Sequence, residues 1–285
     1  MPLIQLEPHL FTSLPRHPDL QGDDNTPDLR EFIQAILLEA HPLLNQFPST
    51  LKPDCKLRSS SPSHAKVKLS RGWRTLQPPQ EGPAPKKEFW VCRQSDHQDS
   101  DRLPGTVSLW EFHDGLRYRH AEHEMEYTPS VTSVKQLLKW NEPRQWDLNQ
   151  PIAIGNMTYK HFEVERSQYE GLYAQIMDAV PQRAVFAYYA SLERVERVLA
   201  PAPPASGPSA SADSNTPATN PGRYLRWTML TTSDAGGKIP QWVQRSWTLG
   251  GVPRAVVSDV GLFIRWTIKR REERRLEQDS QMGEG

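Results

Sequence analysis

Apolar positions along the chain recur with two periods. From Leu225 to Thr232, Leu225, Trp227, Met229 and Thr231 alternate with Arg226, Thr228, Leu230 and Thr232, the period of a half-buried strand. Ser233-Asp234-Ala235-Gly236-Gly237 supplies turn chemistry. Pro240 suits the first turn of a helix, Gly250-Gly251 breaks that helix, and Pro253 restarts it. Val256, Val257, Val260, Phe263, Ile264 and Thr267 then share one face at helical spacing. Burying about five such side chains contributes roughly 10 kcal/mol gross, an upper figure because unfolded chains are themselves compact. A curved antiparallel sheet, a helical bundle or another subunit would each supply the surface this helix needs.

The same reading gives the other elements. Thr26 and Pro27 open a helix with Leu29, Phe32, Ile33, Ile36, Leu37 and Ala40 as its stripe, and Leu43, Leu44 and Phe47 continue it beyond a kink or break at Pro42. Ala65, Val67 and Leu69 alternate as a strand, and Glu88–Cys92 form a second one. Ser108 and Glu111 make a capping box for a helix running to about His123, with Leu109, Phe112 and Leu116 inward. Further expectations are a short helix over Ser133–Trp140, a hairpin across Pro151–Glu165, a helix over Ser167–Val180, and a strand from Ala184 to Tyr189 reaching toward Val195. Residues 1–25 and 276–285 read as flexible tails. Between them, 26–275 read as one domain carrying a disordered Pro/Ala/Ser/Thr insert at 200–222.

Composition narrows the class. The 285 residues carry 34 Lys+Arg and 34 Asp+Glu, so no net charge argues for nucleic acid. The 26 prolines and a mean hydropathy of −0.68 point to a folded core with long polar loops. Two cysteines, Cys55 and Cys92, make neither a disulfide framework nor a metal pair. No apolar run approaches the ~20 residues of a membrane span. A cytoplasmic protein, with transient contact to membrane surfaces, is the expectation.

Two segments carry a resemblance. One is His120–Val131 (HAEHEMEYTPSV); the other joins Tyr189–Val195 (YASLERV), Arg226–Met229 (RWTM), Ser233–Gln244 (SDAGGKIPQWVQ), Val252-Pro253 and Asp259–Phe263 (DVGLF). Together they resemble a fungal family of unknown function with a START-like domain, related to lipid-transfer modules. The resemblance implies an α+β helix-grip fold, in which a curved antiparallel sheet wraps on a long C-terminal helix around a tunnel for a hydrophobic ligand. The chain offers fewer strand candidates than a START sheet has, and its helical run Ser167–Val180 falls where more strand would be expected.

On that basis a lipid or sterol site would be lined by Phe186, Tyr188, Leu225, Trp227, Met229, Val256, Val260, Phe263 and Ile264; the bland alternative is a solid core. Gly250, Gly251 and Pro253 would form a hinge for a lid helix, or a static kink. The basic run Lys269–Arg275 would meet anionic head groups, or lie solvated at a helix end. His120 and His123 beside Glu122 and Glu124 approach metal-ligand spacing, but no third ligand is identifiable, so no metal or other cofactor is expected. Phosphate loops, GxSxG and kinase motifs are absent. The expected function is non-catalytic binding, and transfer between membranes, of a hydrophobic ligand. The alternatives are a protein-interaction module with a filled pocket and an enzyme on a helix-grip scaffold.

Overall fold

The computed structural model describes residues 2–6, 9, 13–18, 26–76, 85–134, 140, 153–154, 174, 187–199, 224–236 and 239–283. In chain order the elements are α1 (Leu29–Asn45), α2 (Phe47–Thr50), β1 (Lys52–Pro53), β2 (Arg58–Ser59), β3 (Lys66–Leu76), β4 (Lys86–Gln98), α3 (Leu109–Arg117), α4 (His120–Tyr127), β5 (Ala153–Ile154), β6 (Tyr188–Val198), β7 (Tyr224–Asp234), α5 (Gln241–Gln244) and α6 (Val252–Gly283). The strands form one open antiparallel sheet in the order β1-β3-β4-β7-β6-β5, with β2 also pairing β3.

The α+β class and the long C-terminal helix are as expected, and of the surfaces that the pattern leaves open for this helix the structure supplies an open antiparallel sheet. The central strands β4 and β7 are covered on both faces, which explains why aromatic and aliphatic residues fall at both parities there. On one face Val67, Leu69, Val91, Leu225 and Trp227 meet Val256, Val260, Phe263 and Ile264 of α6 and Phe112 of α3. On the other face Trp90, Cys92, Leu192 and Leu230 meet Ala40, Leu43 and Leu44 of α1. Ile4 joins this second cluster, and Glu39 accepts from the Leu3 and Ile4 amides, so part of the segment read as a tail is docked.

Several boundaries differ from expectation. Asp28, not Thr26, caps α1 by accepting from the Arg30 amide at 2.8 Å. The helix also runs unbroken through Pro42. The bond that proline cannot donate belongs to the carbonyl one turn earlier, at Leu38, an exposed position where water can replace it. The Ser108–Glu111 capping box forms as expected. Its helix, however, stops at Arg117, because Arg119 takes a left-handed backbone (φ 46°) that separates α3 from α4. At the other end α6 continues to Gly283, into the segment read as a tail. Ser133 and Val134 are not helical. Trp140 is not helical either, while residues 135–139 of that short helix, the helix over 167–180 apart from Ala174, the hairpin beyond Ile154 and the insert at 200–222 lie outside the described residues.

Close packing of α3 on α6 depends on Gly115. A Cβ there would lie 2.5 Å from Phe263 Cε2 and 2.8 Å from Trp266, nearer than carbon atoms approach. The missing side chain lets Phe112 stack on Phe263, with ring centroids 5.3 Å apart.

Candidate functional site

Of the expected lining residues, Leu225, Trp227, Val256, Val260, Phe263 and Ile264 are buried together where α6 crosses the sheet. Met229 packs against them, partly buried. The rings of Trp227 and Phe263 sit 5.2 Å apart, and Tyr127 meets Phe263 edge-on at 5.6 Å. Tyr188 does not belong to this group. It pairs with Asp234, at the parity of Leu192 and Leu230, and so stands on the sheet face away from α6. Two tyrosines run consecutively at the start of β6, and their hydrophobicity alone does not say which one points inward. Phe186 lies outside the described residues.

Beside this apolar cluster is a polar centre that the sequence reading missed. Arg93 on β4 pairs in register with Met229 on β7, which pairs in turn with Glu193 on β6. All three therefore project on the α6 side. Arg93 is 1% exposed, its Nη2 is 3.7 Å from Glu193 Oε1, and its guanidinium lies 3.7 Å over the Trp227 ring. The indole N–H of Trp227 donates to Glu193 Oε2 at 3.1 Å. Among the described residues nothing accepts a hydrogen bond from the buried Arg93 Nε and Nη1, an arrangement that costs free energy unless something accepts from them.

Titratable groups converge on this arginine. Burial pushes the carboxyl of Asp259, on α6, up to about 7 against the pull of Arg93. Burial likewise raises Glu124, which His120 partly offsets, and raises Tyr127. His97 is held down near 3 by burial and by Arg93, and its Nε2 lies 2.8 Å from Ser95 Oγ. A signal for the centre does exist in the sequence. Asp259 sits between Val256 and Phe263 on the apolar stripe of α6, whereas the inward parities of Arg93 and Glu193 come only from the strand pairing. A charge on a buried face marks a functional-site candidate.

Asp259 gives a testable pH dependence. The folded protein keeps a proton that the unfolded chain releases above about pH 4. Asp259 therefore costs stability progressively as pH rises from there to about 7, and the cost is constant beyond. Urea unfolding of wild type and Asp259→Asn across that range should show a difference near zero at the acid end. It should grow in favour of the variant up to about pH 7 and then level off. His97 works in the opposite direction but is common to both proteins, so it cancels. A difference independent of pH would contradict the burial of this carboxyl.

The hinge residues have structural reasons for their identities. Gly250 takes a left-handed backbone (φ 79°). A Cβ on Gly251 would lie 2.2 Å from the Gln244 carbonyl oxygen, and Pro253 is buried in the first turn of α6. The basic run is largely engaged. Arg270 reaches Glu126 and Asp114, Arg271 and Arg274 reach Glu111, and Lys269 reaches Glu273. That leaves little of its charge for head groups. Among the described residues no group of His, Cys, Asp and Glu could hold a metal ion, and no helix is long and apolar enough to cross a membrane.

Residues 90–171 and 171–267 match the model of a family described as "Protein of unknown function (DUF3074)", which covers well over half of the chain. The chain belongs to the DUF3074 family. The DUF3074 match takes in β4, α3, α4, β6, β7, α5 and the inner part of α6, and with them Arg93, Glu193 and Asp259. No curated protein matches the chain.

Proposed function

We propose that this DUF3074 protein is a non-catalytic binder of a hydrophobic ligand, a lipid or sterol, held between α6 and the sheet in a START-like helix grip. The observation that carries the reading is Arg93, with its two buried donor nitrogens unpartnered amid aromatic and aliphatic side chains. Such donors suit a ligand with an apolar body and a head group that accepts hydrogen bonds. The apolar body gains about 0.8 kcal/mol per buried CH2. Gly250 and Gly251 would let α6 move for loading, and passage between membranes would follow.

A filled-pocket interaction module is the second reading, favoured by the mutual packing of Leu225, Trp227, Val260 and Phe263. An enzyme is the third. Its motive is Asp259, with a carboxyl near 7 suited to proton transfer at neutral pH. Binding is preferred because most of the lining supplies burial rather than reacting groups.

Native mass spectrometry of the purified chain, before and after incubation with a panel of sterols, glycerolipids and sphingolipids, tests the proposal. One retained or exchangeable hydrophobic ligand per chain is expected. A bare mass across the whole panel would overturn it.

A further inference from the structure

The connection between β7 and α6 holds two large apolar side chains out toward solvent. Ile239 is 52% and Trp242 67% exposed. The described residues on either side of 237–238 are held, because the side chain of buried Gln244 accepts from the Ala235 amide at 2.7 Å and donates to the Ile239 carbonyl at 3.0 Å. Gln241 donates to Asp234 at 2.8 Å. The exposure is therefore built in rather than a consequence of slack chain.

Next to Trp242, one helical turn on, Arg245 lays its guanidinium 4.3 Å over the ring of Trp73, which is 49% exposed. Trp73 pairs with Phe89, and Lys87, two residues along that strand, is exposed on the same face. The carboxylates at this end are occupied or turned away. Asp234 accepts from Gln241 and the Gly236 amide, and Glu88 is buried on the opposite face. What remains is an aromatic and aliphatic tip with cations beside it.

We infer that this tip, Ile239 and Trp242 with Trp73, Arg245 and Lys87, docks the protein on an anionic lipid bilayer. Indole rings settle at the interface between head groups and acyl chains. Each nearby cation adds attraction to anionic lipid. The apolar area on offer is on the order of 300–400 Å², far below what a stable protein–protein contact buries. The inference does not rest on the ligand reading, since the tip is a surface and Arg93 lies in the interior.

Co-sedimentation of the full chain with phosphatidylcholine vesicles, with and without phosphatidylserine, tests it, alongside sedimentation velocity of the protein alone. Binding to the phosphatidylserine vesicles is expected, weakening with added salt. The combined Ile239→Ser and Trp242→Ser variant should lose at least tenfold of it, and Lys87→Glu a smaller part, with thermal melting unchanged because all three positions are exposed. Failure to bind, or binding that the variants leave intact, overturns the inference. Self-association of the wild type that the double variant abolishes does so too, because the tip would then meet a second copy. Ligand retention by mass spectrometry is measured separately and should not change in these variants, so the two readings fail independently.

Discussion

Replacing Phe263 with alanine is expected to destabilise the fold by about 3–5 kcal/mol. Phe263 is fully buried at the centre of the aromatic cluster, against Phe112, Trp227, Tyr127 and Trp266. Four rings from three helices and the sheet cannot all move inward to fill the space, so most of the cavity would persist. Urea denaturation gives the number, with Leu276→Ala, an exposed position on the same helix, as a control near zero. A loss below about 1 kcal/mol would mean that α6 does not seat on the sheet as described.

The second large effect concerns Arg271, which fastens the outer half of α6 to α3. Its Nε and Nη2 each lie 2.6 Å from a carboxylate oxygen of buried Glu111, a two-pronged contact. The same guanidinium donates to the carbonyls of Leu103 and Thr106, at 3.0 and 2.9 Å. Glu111 also closes the capping box of α3. Arg271→Met leaves that carboxylate its Ser108 hydrogen bonds but, as its one remaining cation, only the looser Arg274 contact at 3.7 Å. A loss of about 3 kcal/mol is expected. Glu111→Gln combined with Arg271→Met should cost much less than the sum of the two single changes, because no buried charge is left unpaired. Strict additivity in that double-mutant cycle would contradict the coupling.

The parts of the fold legible in the sequence were those where one physical requirement dominates a segment. Leu225, Trp227 and Met229 alternate because one side of β7 faces α6, and Val256, Val260 and Phe263 recur because one side of α6 faces β7. The Ser108–Glu111 box was readable because capping is local. What escaped depends on long-range pairing. The inward parity of β6 is set by its register with β7, Tyr188 opposite Asp234, and nothing within the run Tyr188–Val198 reveals it. The polar centre escaped for the same reason, since Arg93 and Glu193 come from strands far apart in sequence that meet only across Met229. The basic run at Lys269–Arg275 looked available because its partners Glu111, Asp114 and Glu126 belong to other helices.

Photo-crosslinking with alkyl-diazirine lipids, followed by peptide mapping, tests the central claim most directly. Adducts on Met229, Tyr127 and the Val256–Ile264 segment are predicted, lost when unlabelled lipid competes. Adducts confined to the exposed tip at Ile239 and Trp242, or none at all, would contradict an interior site beside Arg93.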